Sequence, residues 1–221
     1  MSHEPSCHVP SFHIRPREEK IPAELVQRFR DIATSTLGHF TDFGAITSLQ
    51  PIRRPIRMLG TALTVRIPHI DGSIIRQALL MACPGDVLVI DMSGDERRAC
   101  WGELRAYAAL RKGLAGVVTS GAITDWHHLS RLELPVYSRG TSPLTTRALE
   151  LEGEINVPVA IDGVSINPGD LVLGDDDGIF VVPPHRAATL LEQAIAKQAQ
   201  EDHRRQELAE TYPHWFASDT P

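Results

Sequence analysis

The sequence predicts a mixed α/β fold, and three observations carry that expectation. Short apolar, β-rich runs alternate with helical periodicity through the middle of the chain. From Val157 onward, turn-bounded strands crowd together, and a long helical pattern over 185–210 follows them. The 221 residues, 42% hydrophobic and 23% charged, suit one domain with a real core and argue against global disorder.

Residues 1–20 hold His3, His8 and His13, three prolines and mixed charges without periodicity, and read as a loose arm with a histidine set that metal could bind. A domain over 21–210 follows, with 211–221 as a tail. Ile21, Leu25, Phe29 and Ile32 recur at helical spacing, which predicts one helix over 21–37. Pro22 suits its first turn and Gly38 its stop. Residues 62–67 (ALTVRI) read as a strand. Residues 87–90 (VLVI) read as a buried strand after the turn Pro84-Gly85-Asp86. A helix over 101–112, a buried strand over 116–119 and a third over 135–138 come next. Then VPVAI, VSI and LVLG are separated by Asp162-Gly163 and Pro168-Gly169-Asp170. The run Asp175-Asp176-Asp177-Gly178 is a tight turn before 179–182, and Pro183-Pro184 ends that strand. In the last helix, Ala187, Leu190, Leu191, Ala194 and Ile195 mark the apolar side.

Composition excludes several classes. A net charge of −6 leaves no electrostatic footprint for nucleic acid. No apolar run approaches the roughly 20 residues of a membrane helix, and the N-terminus lacks the apolar core of a secretory signal. Cys7, Cys83 and Cys100 form neither a disulfide framework nor a C-x-x-C site, so a reducing cytoplasm is the expected location. No G-x-G-x-x-G, P-loop, G-x-S-x-G or H-E-x-x-H pattern occurs.

Two segments stand out chemically. Gly102-Glu103-Leu104 opens a helix, whose unpaired N–H groups suit a carboxylate or phosphate. Asp125 follows an apolar strand, where a carboxylate is well placed for a hard cation such as Mg²⁺. On spacing alone the simpler account is structural: Glu103 favours the helix dipole and Asp125 caps the next helix. By the same reasoning Asp175, Asp176 and Asp177 are turn residues, and His127 and His128 are surface or capping residues. Cys100 is a packed thiol without an evident histidine partner.

From Gly60 to Pro183 the sequence resembles the RraA-like family, which includes class II pyruvate aldolases acting on 4-hydroxy-4-methyl-2-oxoglutarate and 4-carboxy-4-hydroxy-2-oxoadipate. The resemblance rests on GTALTV, PGDVLVID, ACWGEL, GLAGVVTSGAITD, LPVYSRGTSP, INPGD and GDDDGIFVVP, in order. It implies a compact, swivelling-domain-like β-core flanked by helices, assembled as a homotrimer or hexamer with the site between subunits. By resemblance, Asp125 contacts Mg²⁺ or Mn²⁺, and Glu103 holds water beside the metal. The amides of Leu104 and Arg105 receive the pyruvyl group of a 2-oxo acid, and Glu201 of a neighbouring subunit orders water. The implied reaction is metal-assisted release of pyruvate, with oxaloacetate decarboxylation as a related outcome. The same family contains non-enzymatic regulators that bind a ribonuclease or helicase, so that reading stays open, as does a lyase for a different oxo acid. One departure is Thr124, where family aldolases carry an arginine that binds the pyruvyl carboxylate. A charged hydrogen bond of that kind is worth about 1.5–3 kcal/mol, and Arg98, Arg105 and Arg139 are the candidates to replace it.

Overall fold

The structure is a computed structural model that describes residues 11–17, 21–68 and 70–215. Its first half contains β1 (Ser11–Ile14), α1 (Ala23–Arg28), α2 (Thr34–Gly38), β2 (Ala45–Ile46), β3 (Gln50–Pro51), β4 (Met58–Arg66), α3 (Ile74–Met81), β5 (Asp86–Asp91), β6 (Ala99–Trp101) and α4 (Glu103–Lys112). The second half contains β7 (Gly116–Thr119), β8 (Ala122–Ile123), α5 (Trp126–Leu129), β9 (Val136–Ser138), β10 (Glu152–Ile155), β11 (Val159–Ile161), β12 (Val164–Ile166), β13 (Leu171–Asp175), β14 (Gly178–Val182) and α6 (Pro184–Thr211). The mixed α/β class and the long C-terminal helix are as the sequence predicts.

β4, β5, β7 and β9 lie side by side in parallel, with α3, α4 and α5 in the connections between them. Parallel strands are covered on both faces and therefore read as unbroken apolar runs. Val87, Leu88, Val89 and Ile90 of β5 are accordingly all buried. On its other edge β4 runs antiparallel to β13 through Met58–Thr61 and to β10 through Val65 and Arg66. β13 and β14 form the expected hairpin around Asp175–Gly178. Its side chains alternate: Val172 and Val181 join the main core, whereas Leu171, Leu173, Phe180 and Val182 pack against Ala187, Leu190, Leu191 and Ala194 of α6.

Three expectations change. The single helix over 21–37 is two short helices, because the chain turns at 29–33 to bury Phe29 and Ile32 against β13, β14 and α6. The carbonyls this frees are satisfied from elsewhere: Arg57 donates to Phe29 O and Ile32 O, and Gln198 Nε2 donates to Asp31 O. Asp175 receives both the N–H and the hydroxyl of Thr34. Trp101 belongs to β6 rather than to the helix, which starts two residues later. Within the arm, Ser11–Ile14 is an edge strand parallel to β10. His13 accepts a hydrogen bond from Arg15, while His3 and His8 lie outside the described residues. The sequence also gave no notice of α3 or β10.

A buried carboxylate fixes the loop that will become one wall of the site. Asp71, fully enclosed, accepts hydrogen bonds from the Ser73 N–H and hydroxyl and from the N–H groups of Leu149 and Leu151. Burial alone would raise its pKa. The bonds from Ser73, Leu151 and Leu149 outweigh burial and hold it at about 2, below the ordinary 3.8. A depressed folded-state value means stabilisation that is complete above the unfolded pKa and lost as pH falls from 3.8 towards about 2. Urea unfolding midpoints should therefore fall across that window. D71N should be less stable than wild type at pH 7, with the gap narrowing on acidification; a gap independent of pH would refute this account of Asp71.

Candidate active site

Two short strands assemble the site. β6 and β8 pair in parallel, Ala99 opposite Ala122 and Trp101 opposite Ile123, and the Thr124 N–H extends that ladder to Trp101 O at 2.9 Å. The segments leaving the two strands, Gly102-Glu103 into α4 and Thr124-Asp125 into α5, are thereby placed side by side. Parallel β–α units commonly gather ligand sites at the carboxyl ends of their strands in this way.

Asp125 does not cap its own helix. It sits at the N-cap position of α5 in a left-handed conformation, φ 56°, and its side chain makes no cap bond there. Instead Asp125 Oδ2 accepts the Glu103 N–H at 3.0 Å, across the cleft at the start of α4. Gly102 makes this approach possible, because a Cβ at that position would lie 2.6 Å from Asp125 Oδ2 and 2.8 Å from Thr124 Cγ2. The next two amides, of Leu104 and Arg105, lie in the first turn of α4, where no intrahelical acceptor is available. Helix dipole and free N–H groups together make this end of α4 attractive to an anion.

The Glu103 carboxylate points the other way along the helix. Its Oε1 accepts the Tyr107 hydroxyl, one turn on, at 2.5 Å and stands 3.5 Å from His128 Nδ1. That bond raises the pKa of the Tyr107 phenol, keeping it protonated as donor. Tyr107 was legible as an i, i+4 neighbour of Glu103. His128 was not, since its approach depends on where α5 lands. Thr145 and Thr146 complete a cleft of about 190 Å³ with Trp101, Gly102, Leu104, Arg105, Thr124 and Asp125. No sequence signal marked those threonines. The loop that carries them is held by backbone bonds between Ala99 and residues 144 and 146, and by Asp71 at residues 149 and 151.

Of the three arginines that could replace the missing one at 124, two are committed elsewhere. Arg98 pairs with Asp95 at 3.2 Å, and Arg139 pairs with Asp162 and with Glu96. Arg105 lines the cleft beside Thr124 and Asp125, donates to the carbonyl oxygens of Cys100 and Gly72, and has no carboxylate partner among the described residues. Glu201 lies away from these groups, on α6, among Lys197 at 3.3 Å, Arg205 at 3.4 Å and His39 at 3.5 Å. The other acidic run is structural: Asp175 and Asp176 accept bonds from Thr34, Asp177 and Ile56 around the hairpin. Cys100 is buried against Thr119, and burial pushes its thiol pKa up, away from nucleophilic use.

The model of one family, RraA-like (Aldolase/RraA), matches residues 31–181. The chain belongs to the RraA-like family. A relative from Halalkalibacterium halodurans, provisionally named a 4-hydroxy-4-methyl-2-oxoglutarate aldolase, is 33% identical over 85% of this chain and 90% of its own. A Thermus thermophilus protein named 4-hydroxy-4-methyl-2-oxoglutarate aldolase is 34% identical over 58% of this chain and 76% of its own. Among solved structures, Streptomyces coelicolor RraAS2 superposes with a TM-score of 0.77 at 29% identity, over 85% of this chain and 98% of that one; it is described as an unusual member of the RNase ES inhibitor RraA family. The RraA-like fold is thus shown from both directions, and its relatives carry both enzyme and regulator names. Among the described residues, no helix is long and apolar enough to cross a membrane.

The contact between Gly102 and Asp125 can be tested directly. G102A must displace Asp125 or Thr124, and overpacking of this kind costs about 1–3 kcal/mol. A lowered melting midpoint is expected, together with loss of any divalent-cation binding that wild type shows by calorimetry. An alanine variant indistinguishable from wild type in both would show that the close approach does not constrain the site.

Proposed function

We propose that the protein is a divalent-metal-dependent carbon–carbon lyase that releases pyruvate from a 2-oxo acid of the 4-hydroxy-4-methyl-2-oxoglutarate type. The observation that carries this reading is the Asp125 carboxylate, turned away from its own helix and seated against the first turn of α4. Asp125 brings one carboxylate to the cleft. A single carboxylate fits Mg²⁺ or Mn²⁺, which keep several waters and bind through one or two carboxylates plus substrate. Asp125 would hold the ion, and the ion would act as a Lewis acid on the 2-oxo group as enolate charge develops.

The chain's own groups divide the remaining work. The N–H groups of Leu104 and Arg105 receive the pyruvyl end, with the helix dipole behind them. The Thr124 hydroxyl adds a neutral donor beside it. In the cleavage direction a proton leaves the 4-hydroxyl, the C3–C4 bond breaks, and its electron pair becomes the enolate of pyruvate, which then takes a proton at C3. Glu103, aimed by Tyr107 and His128, orders the water that moves these protons. Oxaloacetate decarboxylation passes through the same enolate.

A second copy of the chain completes the site in this reading. Leu104 on the cleft wall, Tyr107 on the same helix and Trp126 next to Asp125 in sequence are exposed apolar side chains, the kind of surface that a subunit covers. A homotrimer or hexamer would let Glu201 of the neighbour order water opposite Glu103. Light scattering should return the mass of three or six chains. A monomer at working concentration would remove Glu201 from the site.

Pyruvate release from 4-hydroxy-4-methyl-2-oxoglutarate and oxaloacetate is expected with Mg²⁺ or Mn²⁺ and not with chelator. D125A should lower it by about 100-fold or more, since Lewis-acid stabilisation is worth several kcal/mol. Release from neither acid by the wild type would overturn the reading. The names of the RraA structures from Streptomyces coelicolor and Thermus thermophilus favour a second reading, a regulator that binds a ribonuclease. Capture of purified ribonuclease that survives D125A would support it, and no binding would remove it.

A further inference from the structure

We infer that the Arg105 guanidinium, reaching the cleft from the first turn of α4, is the cation that binds the carboxylate of the 2-oxo acid; this rests on the lyase reading above. The cleft is lined by the Asp125 carboxylate and must also accept a substrate that carries two carboxylates of its own. A single divalent ion leaves that set short of positive charge, and Thr124 supplies none. Arg105 is the guanidinium on the cleft wall. Five other partly buried arginines are matched to acids: Arg17 to Asp86, Arg57 to Asp175, Arg66 to Glu154, Arg98 to Asp95 and Arg139 to Asp162. Arg53 and Arg186 are not so matched among the described residues, but neither lines the cleft. Arg105 meets only neutral acceptors, the carbonyls of Cys100 and Gly72 and, at 3.4 Å, the Thr146 hydroxyl.

Those three contacts engage Nη1 and Nη2 and leave donors of the five-donor fork for a ligand. Gly72 makes room for the group, since a Cβ there would stand 3.0 Å from Arg105 Nη2. Burial without a counter-charge disfavours the cation and pushes its pKa down, yet arginine stays protonated in proteins. An incoming carboxylate supplies the missing partner, so binding would relieve a cost already present in the empty protein. Arg105 and Leu104 are shared with a neighbouring cavity of about 560 Å³, lined also by Arg76, Arg111 and Lys112. The guanidinium thus borders both that cavity and the cleft that holds Asp125.

The test separates charge from hydrogen bonding. R105Q keeps amide donors for the carbonyls of Cys100 and Gly72 and removes the charge. Binding of oxalate, a two-carboxylate mimic of the pyruvate enolate, is measured calorimetrically with Mg²⁺ present, alongside melting midpoints and steady-state kinetics. The expected result is oxalate binding weakened about ten- to hundredfold, the equivalent of one charged hydrogen bond, with KM raised and the melting midpoint unchanged. In the double variant R105Q/T124R, a cation returned from the opposite wall should recover part of the affinity. Should R105Q fail to fold, R105K carries the test: its charge is kept but the fork is lost, and severalfold weaker oxalate binding is expected. Oxalate binding within twofold of wild type, in R105Q or in a folded R105K, overturns the inference. Wild-type protein that binds oxalate through Arg105 yet releases no pyruvate overturns the lyase reading and leaves the anion site standing.

Discussion

Strand β4 must satisfy hydrogen-bonding neighbours of opposite direction on its two edges, and the rest of the architecture follows from that requirement. On one edge it opens the parallel series β4, β5, β7, β9, which forces crossover connections and so places α3, α4 and α5. On the other edge it accepts the β13–β14 hairpin at one end and β10 at the other, both antiparallel. The hairpin presents a second apolar face, which α6 and the two N-terminal helices cover. The crossovers after β5 and β7 each carry a short extra strand, and the pairing of those two strands brings the candidate site together.

Within the site, one backbone decision sets the electrostatics. Because Asp125 adopts a left-handed conformation, its carboxylate leaves its own helix and meets the positive end of α4. The ends of two elements that would otherwise be capped separately share one acid. That arrangement explains why Glu103, the first residue of α4, has its own carboxylate free to be aimed by Tyr107 and His128. It also leaves the cleft lined by the Asp125 carboxylate, against which the Arg105 guanidinium, without an acidic partner among the described residues, becomes significant.

Much of the fold was legible because it follows local rules. The apolar runs at 87–90 and 116–119 are strands buried on both faces, and the aspartate turn at 175–178 is a hairpin whose carboxylates bond backbone amides. Legibility failed where tertiary contacts overrode periodicity. The stretch 21–37 has helical spacing, yet Arg57, Asp175 and Gln198 offer its backbone better partners than a continuous helix would. For the site, Gly102, Glu103 and Asp125 could be singled out from sequence, but the choice between capping and ligand roles could not. That choice depends on a left-handed φ and on the pairing of two strands of two and three residues, neither of which leaves a composition signal. The loop bearing Thr145 and Thr146 is invisible for the same reason: Asp71, more than 70 residues earlier, holds it in place.

The exposed position and left-handed backbone of Asp125 have an evolutionary corollary. A residue at positive φ is strained for anything but glycine, asparagine or aspartate, and an exposed side chain contributes little packing. Replacing Asp125 by asparagine would therefore remove the charge proposed to hold the metal while barely disturbing the scaffold, since an amide oxygen can still accept the Glu103 N–H. Chemistry in this architecture can be lost in a single step without selection against misfolding. Thermus thermophilus supplies both a protein named an aldolase and a structure named an RNA-processing inhibitor. A scaffold whose proposed metal-binding charge is so loosely tied to its own folding is one on which catalysts and binding proteins can diverge.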